Sequence, residues 1–147
     1  MPMPFAHHEK IVLDTSVLVA AARSRQGASF ELLRSIPSRD FNICLSVSLY
    51  AEWQSVLTRT ENIPPGLTVG DVQGFLRYLV SVAHLQAIHF LWRPNLPDAN
   101  DDMVLELAVA AGCRYVVTHN VRDFKGSERL GVQAITPGNY LQLIRKS

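Results

Sequence analysis

Apolar and polar positions alternate along the chain in a way that divides it into short strands and longer helices. Short, mostly apolar runs at residues 11–13, 41–45 and 115–118 lack helical spacing and end at polar residues. Such runs are typical of strands that are buried on both faces of a parallel sheet. Looser apolar patterns at residues 85–92 and 132–135 predict two further strands.

Helical spacing of apolar residues fills the segments between these strands. It predicts helices over about residues 17–22, 28–36, 47–59, 69–83, 100–111 and 137–145. Ser46 is placed to cap the third helix, Asn100 or Asp101 to open the fifth, and Gly112 to end it. The apolar face predicted for the fourth helix consists of Val72, Phe75, Leu76, Leu79 and Val80. Because strands and helices alternate without a repeat or long linker, we expect residues 1–147 to form a single α/β domain. Its sheet should hold about five parallel strands, with helices on both faces.

Composition narrows the class of protein. Hydrophobic residues make up 48% of the chain and charged residues 18%, which excludes a disordered protein. The net charge of +1 gives no strong field toward nucleic acid or a membrane surface. Cys44 and Cys113 lie inside apolar segments and are expected to be buried thiols rather than a disulfide. No run is long enough to span a bilayer, so a cytoplasmic protein is expected.

Asp14 is the first candidate for chemistry, since it directly follows the apolar run at residues 11–13. Open α/β sheets place their sites at the carboxyl ends of strands. The alternative is that Asp14, Thr15 or Ser16 only caps the helix that follows. The two interpretations are separated by whether other carboxylates reach the same edge.

Glu52 is the second candidate. It lies three residues after Leu49 and four before Val56, on the apolar stripe of the third helix. That spacing directs the carboxylate toward the side where the helix meets the protein. An ionised group in that position needs a partner, a metal or an exposed edge.

Asp101 and Asp102 both fall in the first turn of the fifth helix, where acids also favour the helix dipole. Asp101 shares a helical face with Val104 and should point inward. Asp102 aligns with Glu106 and is expected nearer the solvent, as a neighbour that assists or substitutes.

Polar residues also follow the fourth predicted strand, at Thr118, His119, Asn120 and Asp123. Asp123 is either a loop cap or a ligand, and His119 alone is typical of a solvated loop. Four acids from four separated segments, without nearby lysines to balance them, indicate a site for a hard cation. Oxygen ligands and several waters suit Mg²⁺ or Mn²⁺.

Taken together, these segments resemble a PIN-domain ribonuclease of the kind found as the toxin in bacterial VapBC-type toxin–antitoxin pairs. The resemblance covers nearly the whole chain. Its motifs are the opening residues 11–16, the helical Glu52, Asp101 before residues 104–108, residues 117–124, and the closing Ile135-Thr136-Pro137 with its helix.

The resemblance implies a Mg²⁺-dependent ribonuclease, with Mn²⁺ as a possible substitute. Asp14, Glu52 and Asp101 match the acidic triad, and Asp123 or Asn120 the variable fourth position. Many family members carry Asp at the position of Asn120, so one metal or two stays open. The remaining candidates support these ligands or bind RNA: Ser16, Thr118 and Asp102 would orient the ligands, and Arg23, Arg25 and Arg122 would hold the RNA backbone.

The resemblance also implies partners, namely RNA as substrate, a small antitoxin that inserts into the active-site groove, and a second copy in a homodimer. Leu67, Trp92 and Leu96 lie in loops and would serve an interface or a satellite core. The alternative function is a catalytically inactive PIN-like module that binds RNA or protein. A haloacid-dehalogenase-like phosphatase is disfavoured, because Ser16 occupies the position of its second Asp.

Overall fold

A computed structural model describes residues 9–89 and 96–146. The five strands are β1 (Glu9–Leu13), β2 (Phe41–Leu45), β3 (His84–Leu85), β4 (Tyr115–Val117) and β5 (Gln133–Ile135). The six helices are α1 (Thr15–Arg23), α2 (Ala28–Arg34), α3 (Val47–Leu57), α4 (Val69–Val82), α5 (Ala99–Ala111) and α6 (Pro137–Arg145). Short 3₁₀ turns lie at Thr60–Asn62, Val121–Phe124 and Ser127–Leu130.

The strands form one sheet in the order β3-β2-β1-β4-β5, and every pair is parallel. β1, the first strand in the sequence, is therefore the central strand of the sheet. Its Ile11 is aligned with Ile43 of β2 on one side and with Tyr115 of β4 on the other. Parallel strands carry their carboxyl ends to the same edge. The residues that follow β1, β2 and β4 are thereby brought to one side of the molecule.

Helices cover both faces of this sheet. Ile11, Val12 and Leu13 point alternately to opposite faces, and all three have no exposed surface. α5 packs against β1, β2 and β4, whereas α1 packs against α2 and α3. The predicted class, a five-stranded parallel α/β sheet between helices, is confirmed.

Several predicted boundaries were wrong, among them those of the third strand and of helix α5. The third strand covers His84–Leu85 instead of beginning at residue 85 and running to 92; residues 86–89 are not strand, and 90–95 lie outside the described residues. β3 is an edge strand, and pairing to β2 on one side leaves Leu85 62% exposed. Helix α5 begins earlier than expected, because Asp98 is its cap and accepts a hydrogen bond from the Asn100 backbone N–H at 2.8 Å.

Other local predictions are settled by individual contacts. Ser46 caps α3 by accepting from the Leu49 N–H at 3.2 Å, and Gly112 ends α5 with a φ of 73°. Phe75 belongs to the predicted apolar face of α4, since it lines the same groove as the buried Leu76, but it is itself 43% exposed. Among the described helices, none has the length and apolar content needed to cross a membrane.

Candidate active site

Asp14 stands where β1 ends. Its backbone N–H donates to the Val117 carbonyl at 2.9 Å, which ties it to the end of β4. The side chain is buried, and its Oδ2 accepts hydrogen bonds from Ser16 Oγ at 2.8 Å and Thr118 Oγ1 at 2.7 Å. Although Asp14 occupies the N-cap position of α1, its carboxylate makes no capping hydrogen bond. The carboxylate is therefore held by hydroxyls from two segments and does not serve as a helix cap.

Glu52 reaches the same edge from α3. Burial raises the pKa of its carboxyl, and the negative charges of Asp14 and Asp98 raise it further, while Thr15 and Arg59 lower it. The Thr15 hydroxyl favours the charged form of the Glu52 carboxyl. Within residues 9–89 and 96–146, neither Thr15 Oγ1 nor Glu52 Oε2 has a hydrogen-bond partner, although both atoms are buried. A buried carboxylate oxygen without a donor is costly unless a cation or water completes it.

Asp101 lies among the other acids. Burial is the largest cause that raises its pKa to about 6, and the charges of Asp14, Asp98, Asp123 and Glu52 follow in that order. Asp98 is the cap of the same helix, whereas Asp14, Glu52 and Asp123 come from three other segments, so their joint effect on Asp101 shows that these segments converge. We call Asp14, Glu52, Asp98, Asp101 and Asp123 the acidic cluster.

Asp102 faces elsewhere than expected. It is 2% exposed, and its Oδ1 accepts a hydrogen bond from the Leu96 backbone N–H at 2.9 Å; Glu106, on the same side, is 5% exposed. The predicted orientation toward solvent was wrong because α5 is covered on nearly every side. Asp102 thus contacts the backbone segment that leads to Asp98.

The segment after β4 contributes Thr118, Asn120 and Asp123. Thr118 is fully buried, and besides donating to Asp14 its hydroxyl accepts from the Asn120 N–H at 2.9 Å. Asn120 and Asp123 are exposed, and Asp123 lies in the turn Val121–Phe124. His119 is not simply solvated as expected, since its Nε2 hydrogen-bonds the buried Ser29 hydroxyl at 2.6 Å.

The three predicted RNA-binding arginines are placed differently. Arg23 ends α1, about 13 Å along the helix from Asp14, and its Nη2 donates to Asn62 Oδ1 at 3.0 Å. The structure does not bring Arg23 to the acidic cluster. Arg25 is exposed in the turn that follows α1, and Arg122 is exposed directly beside Asp123.

Sequence reasoning missed two charged groups at the site. Asp98 was assigned to a loop, although it lies three residues before Asp101, the spacing that places two side chains on one helical face. Arg59 lies beyond the end of α3, in extended backbone, and its charge lowers the pKa of Glu52. Spacing was an available signal for Asp98, whereas no helical spacing relates Arg59 to Glu52.

The acidic cluster fits a hydrated divalent cation better than a bare one. Within the described part of the chain, no three His, Cys, Asp or Glu side chains stand close enough to ligate one ion together. The groups available are oxygen donors, and one of them, on Glu52, is buried without a partner. Burial and, after it, the charges of the neighbouring acids raise the pKa of Asp101 to about 6. Mg²⁺ is bound in this way, through a few carboxylates and several retained waters.

Comparison with protein families decides the class. The family model described as PIN domain matches residues 10–122. The chain belongs to the PIN domain family. The resemblance seen in the sequence is thereby confirmed, and PIN domains are nucleases that generally use divalent metals.

Solved structures share the PIN fold with this chain. VapBC2 from Rickettsia felis, bound to a DNA fragment from the promoter, is 16% identical with a TM-score of 0.59, covering 86% of this chain and 98% of that one. VapBC-1 from nontypeable Haemophilus influenzae is 15% identical with a TM-score of 0.60, covering 88% and 98%. DNA-bound VapBC from Salmonella typhimurium is 16% identical with a TM-score of 0.58, again covering 88% and 98%. No curated protein matches the sequence significantly.

Proposed function

We propose that this PIN domain is a divalent-metal-dependent endoribonuclease that hydrolyses RNA phosphodiester bonds. The observation that supports it most is the acidic cluster itself, in which Asp101 is raised in pKa by burial and by the charges of four other carboxylates, and a buried oxygen of Glu52 lacks a partner. A cation would relieve both the repulsion and the missing contact. Asp14, Glu52, Asp101 and Asp123, with Asn120 as a neutral oxygen donor, would hold hydrated Mg²⁺, some of them directly and the rest through its bound waters, and Mn²⁺ would substitute.

The bound ion would supply a water of lowered pKa and a Lewis acid for the scissile phosphate. The side chains of this protein would hold the metal ligands in their orientations. Ser16 and Thr118 fix the orientation of Asp14 before any ligand arrives, because both hydroxyls donate to the same carboxylate oxygen. Burial around Glu52 limits access of water to that side of the site. Arg122 and Arg25, both exposed, would contact substrate phosphates, with Arg23 a weaker candidate because Asn62 holds it.

The test is cleavage of a mixed set of structured RNAs by the purified protein in the presence of Mg²⁺, Mn²⁺ or EDTA. We expect cleavage with either ion, no cleavage in EDTA, and none by an Asp14→Asn variant prepared in parallel. Cleavage that persists in EDTA or in the variant would contradict the proposal. Absence of cleavage together with no Mn²⁺-induced rise in melting temperature would favour the alternative, a catalytically inactive binding module.

A protein partner forms the second part of the proposal. The similar structures are VapBC complexes, and the described chain contains a groove of about 290 Å³ between α1, α2 and α4. Its lining is almost entirely apolar, with Arg34 and Asp71 at the rim, and includes Leu18, Ala22, Phe30, Leu67, Val72 and Phe75. Leu67 is 44% exposed and Phe75 43%, an unfavourable state for two large apolar side chains in one groove.

We propose that an apolar segment of a small antitoxin fills this groove rather than the active-site groove that the sequence resemblance implied. The chain would then be the toxin of a cytoplasmic toxin–antitoxin pair. Of the other loop residues considered for an interface, Leu96 is buried in the core and Trp92 lies outside the described residues. A homodimer is also part of the proposal. Light scattering on the purified protein would give its molar mass directly, and a monomer at all concentrations would remove that part.

A further inference from the structure

The segment after β4 is held to the rest of the protein by contacts on two sides. On the sheet side, Thr118 donates to Asp14, and the His119 backbone N–H donates to Ser16 Oγ at 3.2 Å. On the other side, the His119 ring bonds to Ser29 on α2, ninety residues earlier in the chain. His119 thus lies between two anchors and directly precedes Asn120.

Ser29 is a buried polar residue in helix α2. It is 2% exposed in the first turn of α2, and its hydroxyl is 2.6 Å from the ring nitrogen of an exposed histidine. A buried hydroxyl needs a hydrogen-bond partner, and here that partner comes from the segment that carries Asn120 and Asp123. The contact therefore joins α2 to the segment that follows β4, at the edge of the acidic cluster.

We propose that Ser29 is a positioning residue that, through His119, holds Asn120 and Asp123 in place beside the other members of the acidic cluster. The proposal rests on the metal-dependent activity proposed above. Asn120 and Asp123 are both exposed, and the 3₁₀ turn that carries Asp123 begins two residues after His119. Without the Ser29 contact, the segment would keep the backbone hydrogen bonds to Ser16 and Thr118 but lose the anchor on the side of α2.

Loss of this contact is expected to weaken metal binding directly, and to slow RNA cleavage only as a consequence. Residues that orient metal ligands from outside the coordination sphere typically change affinity roughly 10–100-fold when substituted. Ser29 is one residue further removed, so a Kd for Mn²⁺ raised about three- to tenfold is expected. A residue with only a structural role would lower the melting temperature and leave this Kd unchanged.

The experiment is Mn²⁺ titration by calorimetry of the RNA-free, full-length protein, with a thermal melt of each metal-free sample. Ser29→Ala and His119→Leu remove the contact, while His119→Gln keeps a polar atom at a similar reach from the backbone. Ser35→Ala is the matched control, because that hydroxyl lies at the other end of α2 and bonds the Leu32 carbonyl. We expect a weakened Mn²⁺ affinity in the first two variants and wild-type affinity in the other two.

Three results would overturn the proposal. Unchanged Mn²⁺ affinity in Ser29→Ala and His119→Leu would show that the contact is structural alone, with the proposed nuclease site intact. A His119→Gln variant as weak as His119→Leu would show that the hydrogen bond is not what matters. Wild-type protein without measurable Mn²⁺ binding would remove the proposed metal site and this inference together. His119 is exposed, so its variants are expected to fold.

Discussion

The acidic cluster and the apolar groove share one helix and oppose each other in character. The first turn of α1 carries Thr15 and Ser16, which lie beside the carboxylates of the acidic cluster. The later turns of the same helix carry Leu18 and Ala22, which line the groove. At the cluster, carboxylates are crowded and one buried oxygen lacks a partner. In the groove, large apolar side chains are left in contact with water.

Both regions are unfavourable for the isolated folded chain, but for different reasons. Crowded carboxylates cost electrostatic free energy, which a cation can recover. Exposed apolar surface costs solvation free energy, which only an apolar partner can recover. The type of unfavourable contact therefore indicates the type of ligand: an ion at the edge of the sheet, and a protein segment between the helices.

The largest difference between the two regions is expected in catalysis. Asp14→Asn should lower RNA cleavage roughly 10³-fold, equivalent to about 4 kcal/mol, because the ion loses a charged ligand. The fold should survive, since an amide oxygen can still accept from Ser16 and Thr118. Asp40→Asn is the control, as Asp40 is an exposed acid just before β2, at the opposite edge of the sheet. Equal activity in both variants would show that the cluster is not where cleavage occurs.

Metal binding should stabilise the protein through the cluster alone. At Mn²⁺ concentrations of about 100 times Kd, the free energy of unfolding should rise by about 2.7 kcal/mol. For a chain of this size, that corresponds to a melting temperature roughly 5–10 °C higher. The Phe75→Ala variant of the groove should show the same rise, and Asp101→Asn a reduced one. A full rise in Asp101→Asn would place the ion elsewhere.

Substitution of a residue in the groove should weaken binding of the partner without changing RNA cleavage. Phe75→Ala should weaken capture of the antitoxin segment about 30-fold, a loss of about 2 kcal/mol typical of a buried aromatic at an interface. Tyr78→Ala is the matched control, because Tyr78 lies one turn away on α4, is 45% exposed and does not line the groove. Affinity can be measured with the co-expressed partner. Equal losses in both variants would point to a general effect on α4.

The smallest effect concerns stability against pH in the metal-free protein. The folded-state pKa of Asp101 is raised from 3.8 to about 6, so the folded chain holds more protons than the unfolded chain between these values. Stability should therefore fall as pH rises through this window and stay lower above it. Asp101→Asn should be more stable than wild type at pH 7.5 by at most about 1 kcal/mol, allowing for solvent screening.

Urea titrations at pH 4 and pH 7.5 would measure this difference. The difference should be much smaller at the lower pH, because Asp101 is then protonated in the folded wild type and close to half protonated in the unfolded chain. A difference of the same size at both pH values would show that the effect comes from packing rather than from charge.

The central strands could be predicted because burial on both faces leaves a simple apolar run in the sequence. β1, β2 and β4 are of this kind, and Val12 and Val116 have no exposed surface. β3 could not be delimited, since an edge strand with one neighbour and an exposed Leu85 has no such run. Edge position is a property of the assembled sheet.

The segments that carry the candidate site could be predicted, but the directions in which their side chains point could not. The end of β1 identified Asp14, because strand ends can be read from the sequence. Asp102 was turned the wrong way because α5 is buried nearly all round, and a helix without a polar face gives no direction from spacing. The effect of Asp123 on Asp101 depends on tertiary structure, which no local pattern encodes.

The order of the groove and the acidic cluster along the chain has a consequence for synthesis on the ribosome. The lining of the groove lies between residues 18 and 76, whereas the acidic cluster needs residues as far as 123. The surface proposed for the partner is thus translated well before the catalytic edge can close. If a partner is already present, a growing chain offers it a binding surface before it offers the cell a functioning nuclease.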